Sequence, residues 1–308
     1  MLDEDSSYRC LVALIGIDQL VSAYGTVDRA RKAIFTPAGV NGTLVESAWI
    51  LAHLVLYPLG ILEETARDEA NHHSVADLSP VQRGMIIGDV AAAGTPIILV
   101  HGVVDNRSIF TFLRRALRRR GFGRTILLNY SPFSDDIRAV AYRLADLIEE
   151  VCHETGYERV HIVGHSMGGL VARYYVQRLD GHERVHTVVT LGTPNNGTRV
   201  ANFVPHPLAR QMRPGSELIA ELNEPVPGCD TRFVSIWTDL DQSIIPKQNA
   251  KLTIPGLRTR NVFIRGVGHM SLPVDGRVIY EITNALAQLD HEGHTIANGA
   301  TSINSTVA

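Results

Sequence analysis

The feature that most constrains the fold is an alternation of short apolar runs with helical segments, which begins near residue 95 of the 308-residue chain. Between the first runs lie segments 108–120 and 135–155, in which apolar residues recur at helical spacing. Apolar strands that alternate with amphipathic helices are typical of βαβ units, and therefore of a mostly parallel sheet with helices on both faces. The six predicted strands are 96–100, 125–129, 160–163, 185–191, 232–237 and 261–265.

Composition divides the whole chain into three predicted parts. Residues 1–94 are predicted to form a mainly helical extension followed by a polar linker, 95–290 the α/β domain, and 291–308 a flexible tail. Segment 47–62 has 16 residues without a charge, whereas a membrane-spanning helix needs about 20. We therefore expect a short apolar helix there, either buried against the domain or anchored at a membrane surface.

Charge and cysteine content exclude several classes of protein. With 29 basic and 32 acidic residues the net charge is −3, which argues against a nucleic-acid partner. The three cysteines are far apart and show no metal-binding spacing, so no cofactor and no metal are expected. The acidic start of the chain is a poor match to a secretory signal, which favours a cytoplasmic or membrane-associated location over secretion.

The clearest chemical motif is Gly164-His165-Ser166-Met167-Gly168, which follows one predicted strand and opens a predicted helix. In a strand–helix turn this sharp, the residues two before and two after the serine come so close that glycine is favoured at both. The turn would expose the Ser166 hydroxyl at the carboxyl end of the sheet, where open α/β sheets bind ligands. His165 lies inside the turn with its side chain expected to point away from that hydroxyl, so it is not the base.

A serine hydroxyl needs a base and an orienting acid to act as a nucleophile. In this architecture the acid and then the histidine follow later strands. Asp239 and Asp241 both follow 232–237, and position alone does not separate them. His269 is the only histidine that directly follows a late strand in a glycine-rich loop, and we expect it to be the base.

An oxyanion hole would require two backbone amides beside the serine. The amide of Met167 lies at a predicted helix N-terminus, where it can face a developing negative charge. The second would come from Val103, in the loop after the first strand, where Gly102 allows the backbone to approach a bound ester closely.

Four segments together resemble the bacterial α/β-hydrolase lipases, in particular the small Bacillus-type triacylglycerol lipases and their actinobacterial relatives. The resemblance covers about residues 96–290 and implies the α/β-hydrolase fold, carboxylic-ester hydrolysis, Ser166 as nucleophile and His269 as base. Val103 and Met167 correspond to the oxyanion-hole residues of that family. The segments are VHGVVDNRSIF, HIVGHSMGGLVARYYVQRLDG, VVTLGTPNNGT and RGVGHMSL.

The resemblance also favours Asp241 over Asp239, because the family's strand pattern aligns with Ser235-Ile236-Trp237 and places the acid a short loop later. The chain departs from the family at 104–106, where glycines are common, and at Asn195, where related lipases often have histidine. Residues 1–94 match no part of the small lipases.

The sequence therefore predicts a carboxylic-ester hydrolase whose partner is a fatty-acyl ester, with contact to a membrane or lipid interface as a further expectation. Segment 199–221 is a candidate lid, whose apolar residues line an acyl tunnel or instead pack on the domain as an ordinary surface excursion. The alternatives are a short-chain esterase, thioesterase or acyltransferase with the same triad, and an inactive hydrolase-fold binding module.

Overall fold

Residues 93–103, 107–130 and 136–287 are described by the computed structural model of the chain. Within them lies a six-stranded sheet. Its strands are β1 (Ile97–Val100), β2 (Thr125–Leu128), β3 (Val160–His165), β4 (Val185–Leu191), β5 (Arg232–Thr238) and β6 (Arg258–Ile264). All six are parallel and lie in the order β2-β1-β3-β4-β5-β6. The chain order reverses between β1 and β3, which opens a crevice at the carboxyl ends of these strands.

Helices connect the strands, and the longest of those described, α2 (Ile137–Thr155), begins and ends at recognisable caps. Asp136 precedes it, and the Asp136 carboxylate accepts a hydrogen bond from the Arg138 amide at 2.9 Å. Gly156 ends the same helix at φ +73°, which glycine adopts without strain. The helices are α1 (Thr111–Arg119), α2 (Ile137–Thr155), α3 (Met167–Arg178), α4 (Pro207–Gln211), α5 (Glu217–Leu222) and α6 (Gly276–Leu286).

Each face of the sheet is covered by its own apolar core. Alternate residues of β1 divide between them: Ile98 and Val100 join the core under α2 and α3, whereas Ile97 and Leu99 join the core under α1 and α6. A sheet buried on both faces needs strands that are apolar throughout, which is why the central strands read as continuous apolar runs.

All six predicted strands are found, and the predicted α/β fold with helices on both faces is confirmed for this part of the chain. The largest error in a strand boundary is in β6, which begins at Arg258 rather than at 261. This strand is the sheet edge, and Arg258 and Asn261 in its polar first half are exposed. The helix predicted at 108–120 begins as a 3-10 turn, and α1 proper starts at Thr111.

The predicted N-terminal extension and the tail 291–308 lie outside the described residues, apart from 93–94. None of the helices in the described ranges is long and apolar enough to cross a membrane.

Candidate active site

Ser166 lies at the turn between β3 and α3 with φ +54° and ψ −124°, a conformation that costs a non-glycine residue about 1–3 kcal/mol. The flanking glycines have no room for a side chain. A Cβ on Gly164 would lie 2.6 Å from the Gly169 amide nitrogen, and one on Gly168 would lie 2.1 Å from the carbonyl oxygen of Val100. Gly164 is therefore confined by the backbone two residues after the serine, as predicted, whereas Gly168 is confined by the end of β1 and the residue after it.

The base and acid candidates meet beside this turn, although they are 28 residues apart in the chain. His269 Nδ1 lies 2.8 Å from Asp241 Oδ2, and both side chains are almost fully buried. A carboxylate can only accept, so the Nδ1–H group donates and the lone pair of the neutral ring is on Nε2. The other oxygen of Asp241 accepts the amides of Ser243 at 2.8 Å and Ile244 at 3.0 Å.

Asp239 has a structural contact instead of a contact with His269. Its Oδ1 accepts the Gly266 amide at 2.7 Å and so connects the end of β5 to the loop after β6. The side chain of Lys247 is half-buried near both carboxylates. Burial lowers its pKa, and the charges of Asp239 and Asp241 partly oppose that shift.

His165 is buried beside the pair, with its ring centroid 4.8 Å from that of His269. Its Nε2 lies 3.1 Å from the backbone carbonyl oxygen of His269, which can only accept a hydrogen bond. His165 therefore supports the backbone of the base loop.

The loop after β1 is held against the start of α3. The carbonyl oxygens of Val100 and His101 lie so close to the first turn of that helix that a Cβ on Gly168 would be 2.1 Å and 2.6 Å from them. The Tyr130 hydroxyl donates to the carbonyl oxygens of His101 and Gly102, and its ring stacks on the imidazole of His101 at 4.2 Å. Val103 is partly exposed, and positions 104–106, where the chain departs from the lipases, are outside the described residues.

Helix α3 carries a buried cation that the sequence did not reveal. Eleven of its twelve residues are buried, including Arg173, whose side chain is fully enclosed. Its guanidinium donates to Gln177 Oε1, to the carbonyl and side-chain oxygens of Asn195, and to the Leu222 carbonyl. Burial lowers the pKa of Arg173 to about 9. A signal for its burial is present in the sequence, because apolar or aromatic residues occupy 170–172 and 174–176, but its partners Asn195 and Leu222 could not be predicted.

The candidate lid divides into anchored and exposed parts. Leu208 is in the core and Met212 packs against it, as expected of an excursion that rests on the domain. Phe203 and Val204 instead face outward, and Phe203 is 85% exposed. At the far end, α5 is fixed by Arg138, which forms a 2.8 Å ion pair with Glu221.

No group of three or more histidine, cysteine or acidic side chains with the arrangement of a metal site occurs in the described ranges.

Known proteins match the chain over the same region. Residues 95–216 match the family model of the alpha/beta hydrolase fold. The triacylglycerol lipase of Pseudarthrobacter phenanthrenivorans is 30% identical over 122 residues, which are 37% of each chain. A lysosomal thioesterase PPT2 homolog of Drosophila melanogaster is 29% identical over 119 residues, which are 37% of this chain and 41% of that protein. The match spans well under half the length of these relatives.

Solved structures agree with this fold. The mature lipase BlEst2 of Bacillus licheniformis superposes with a TM-score of 0.53 at 16% identity, covering 63% of this chain and 92% of the lipase. Lipase B of Aspergillus fumigatus gives a TM-score of 0.56 at 17% identity, covering 66% of this chain and 54% of that one. The resemblance to bacterial lipases is thus confirmed, and the described part of the chain has the α/β-hydrolase fold.

Proposed function

We propose that the protein is a serine hydrolase that cleaves carboxylic esters through Ser166, His269 and Asp241. The observation that carries this proposal is the buried 2.8 Å contact of His269 with Asp241, next to a serine held in a strained turn. An imidazole whose Nδ1–H is fixed by a carboxylate has its Nε2 lone pair available to accept a proton.

The reaction would proceed by acyl transfer in two halves. His269 takes the proton of Ser166 as its oxygen attacks the ester carbonyl, and it then gives that proton to the departing alcohol. Water, activated by the same imidazole, attacks the acyl-enzyme, and the acid is released with Ser166 restored. Asp241 stays ionised throughout and stabilises the imidazolium.

The tetrahedral oxyanion would be bound by the amides of Met167 and Val103, each contributing about 3 kcal/mol to lowering the barrier. Support for Met167 comes from its place as the first residue of an α3 that has no side-chain cap. Support for Val103 comes from the residues just before it, which pack closely on α3. The Tyr130 hydroxyl fixes these residues by a hydrogen bond to the Gly102 carbonyl.

For the substrate we propose a fatty-acyl ester. Three relatives carry the name triacylglycerol lipase, from Pseudarthrobacter phenanthrenivorans, Burkholderia plantarii and Pseudomonas fragi. The outward-facing Phe203 and Val204 lie within the segment we propose as a lid, and exposed apolar side chains suit contact with a lipid interface. A thioester is the second candidate, because the Drosophila relative is named a thioesterase.

The test is hydrolysis of p-nitrophenyl esters of increasing acyl length and of acyl-coenzyme A thioesters by the full chain. Ser166→Ala should lower kcat at least about 10³-fold without unfolding the protein. Thr155→Ala, which removes a hydroxyl at the far end of α2, is the control and should retain activity. A fluorophosphonate probe should label the unmodified chain and leave Ser166→Ala unlabelled.

The outcomes separate the alternatives. A rate that rises with acyl length supports a lipase, a rate confined to short chains an esterase, and faster thioester cleavage a thioesterase. Ester cleavage without labelling at Ser166, or no cleavage by a folded chain, would refute the proposal.

A further inference from the structure

The loop that follows β4, residues 192–198, touches the acid–base pair at one end and the loop of Asp241 at the other. At its start, a Cβ on Gly192 would lie 2.8 Å from Asp241 Oδ2 and 2.9 Å from His269 Nδ1. At its end, Thr198 is 5% exposed and faces residues 243–245. This loop is therefore packed against the pair without supplying either of its members.

The Thr198 hydroxyl uses its full hydrogen-bonding capacity there. It donates to the carbonyl oxygen of Ser243 at 2.8 Å and accepts the amides of Ile245 at 3.0 Å and Val200 at 3.3 Å. A hydroxyl has one donor and two acceptor lone pairs, so all three positions are filled. The Arg199 amide adds a backbone bond to the Ile245 carbonyl at 2.8 Å.

The segment held in this way orients Asp241. The amides of Ser243 and Ile244 both donate to Asp241 Oδ1. The Thr198 hydroxyl holds the same segment from the other side of the chain, through the Ser243 carbonyl and the Ile245 amide. With Oδ1 fixed by two amides, Oδ2 is left facing His269 Nδ1. Removing the hydroxyl would leave the Arg199 amide as the remaining one of these bonds to Ser243–Ile245 and would loosen the carboxylate.

We propose that Thr198 is a positioning residue of the catalytic acid, acting through the backbone of residues 243–245 on Asp241. The proposal rests on the ester-hydrolase function proposed above. Because a loosened carboxylate stabilises the protonated imidazole less, the acidic limb of the kcat/KM–pH profile should move to lower pH when the hydroxyl is removed.

The test compares three variants of nearly equal size. Thr198→Val removes all three hydrogen bonds, and Thr198→Ser keeps the hydroxyl. Thr231→Val is the matched control: Thr231 is fully buried and donates to the Val185 carbonyl at 2.8 Å, at the opposite end of the sheet. If Thr198→Val does not fold, Thr198→Cys, with its weaker donor and acceptor, takes its place with an intermediate shift expected.

Two readouts are used. In ester hydrolysis, Thr198→Val should lower kcat about tenfold or more with KM little changed, and shift the acidic limb, while Thr198→Ser and Thr231→Val retain the unmodified profile. In proton NMR, the downfield resonance of the His269 Nδ1–H, identified by its loss in His269→Gln, should move upfield and broaden in Thr198→Val alone.

An unchanged limb and an unchanged resonance in Thr198→Val would overturn the positioning role, and so would equal shifts in Thr231→Val. If the unmodified chain cleaves no ester, the proposed function fails, and the resonance alone then decides whether Thr198 orients the pair.

Discussion

Ser166 is held at a positive φ because the backbone packed around the turn restricts its conformation. The Gly168 position shows how tight this is: the nearest atom to an added Cβ would be a backbone oxygen, which cannot move aside as a flexible side chain can. Gly192, at φ +53°, has the same function next to Asp241 and His269. The geometry of the site thus depends on the absence of a side chain at Gly164, Gly168 and Gly192 as much as on the polar groups.

Asp241 and Asp239 should differ sharply when each is changed to asparagine. Asp241→Asn presents an amide to His269 and favours the wrong imidazole tautomer, so we expect kcat to fall about 10⁴-fold. Asp239→Asn can still accept the Gly266 amide through its side-chain oxygen, and kcat should fall less than about tenfold. Steady-state hydrolysis of one p-nitrophenyl ester by both purified variants measures the difference.

Thermal melts provide the control, since both variants should remain folded at the assay temperature. Equal losses of activity in the two variants would mean that Asp241 has no special role. The sequence could not separate these residues because the choice depends on the conformation of their loop, and Thr198, more than 40 residues earlier, helps to fix that conformation.

At the level of elements, α3 is the centre of the described domain. Its first turn lies against Ser166, its sides are buried between α2 and the sheet, and Arg173 fixes both Asn195 after β4 and Leu222 at the end of α5. Two further bonds connect the same elements, from Gln177 to the Leu222 carbonyl and from Tyr174 to Glu221. Helix α3 and the end of the proposed lid therefore form one hydrogen-bonded unit.

We expect Arg173→Met to lower the free energy of unfolding by about 3 kcal/mol, because it leaves the carbonyl and side-chain oxygens of Asn195 buried without this donor and removes one of the two hydrogen bonds to the Leu222 carbonyl. Arg124→Gln is the control: Arg124 forms a 2.7 Å ion pair with Glu154, but both side chains are about half exposed. Exposed pairs contribute at most about 1 kcal/mol. Urea unfolding of both variants measures the two losses.

A loss at Arg173 no larger than that at Arg124 would show that the buried network adds little to stability. Arg124 has a carboxylate partner and Arg173 is bound only to neutral oxygens, yet Arg173 is expected to contribute more to the free energy of unfolding.

The elements themselves were predictable to different degrees. Strands β1, β3, β4 and β5 are apolar and central, and their predicted positions agree with the structure to within two residues at each end. The start of β6 was missed because Arg258 and Arg260 resemble a loop, although an edge strand tolerates such residues on its solvent side. Tyr130, Arg173 and Thr198 were missed for another reason: their roles come from contacts with residues far away in the chain.

At the level of the whole domain, the two ends of the sheet have different chemistry. The carboxyl ends of the strands carry Ser166, Asp241 and His269, whereas the opposite end carries a group of basic side chains. His161 is fully buried there on β3, and neither ring nitrogen has a hydrogen-bond partner among the described residues. His186 on β4 meets it edge-on at 5.4 Å, and Arg232 follows on β5.

Burial lowers the pKa of His161 well below its usual value, and the charges of His186 and Arg232 add to the shift. Arg232 is itself affected: burial, with the neighbouring charges of Arg260 and Arg258, lowers its pKa to about 10. Protonation of His161 at this end of the sheet is therefore unfavourable.

These shifts predict that the domain loses stability in mild acid, and the sign follows from proton binding. Unfolded His161 takes up a proton as the pH falls below about 6.5, whereas the folded ring stays neutral to lower pH. The unfolded state thus binds more protons, so the contribution of His161 is fully present above about pH 6.5 and is lost as the pH falls further. The limiting slope for one proton is about 1.4 kcal/mol per pH unit.

His161→Phe, which fills the same space without titrating, should flatten this dependence between about pH 7 and pH 5, measured as the free energy of urea unfolding. His153→Gln is the control, because His153 lies on the exposed side of α2 and meets water whether the chain is folded or not. It should follow the unmodified protein across the whole range. If His161→Phe also loses stability in parallel with the unmodified protein, the acid sensitivity arises elsewhere, and the basic end of the sheet is not its source.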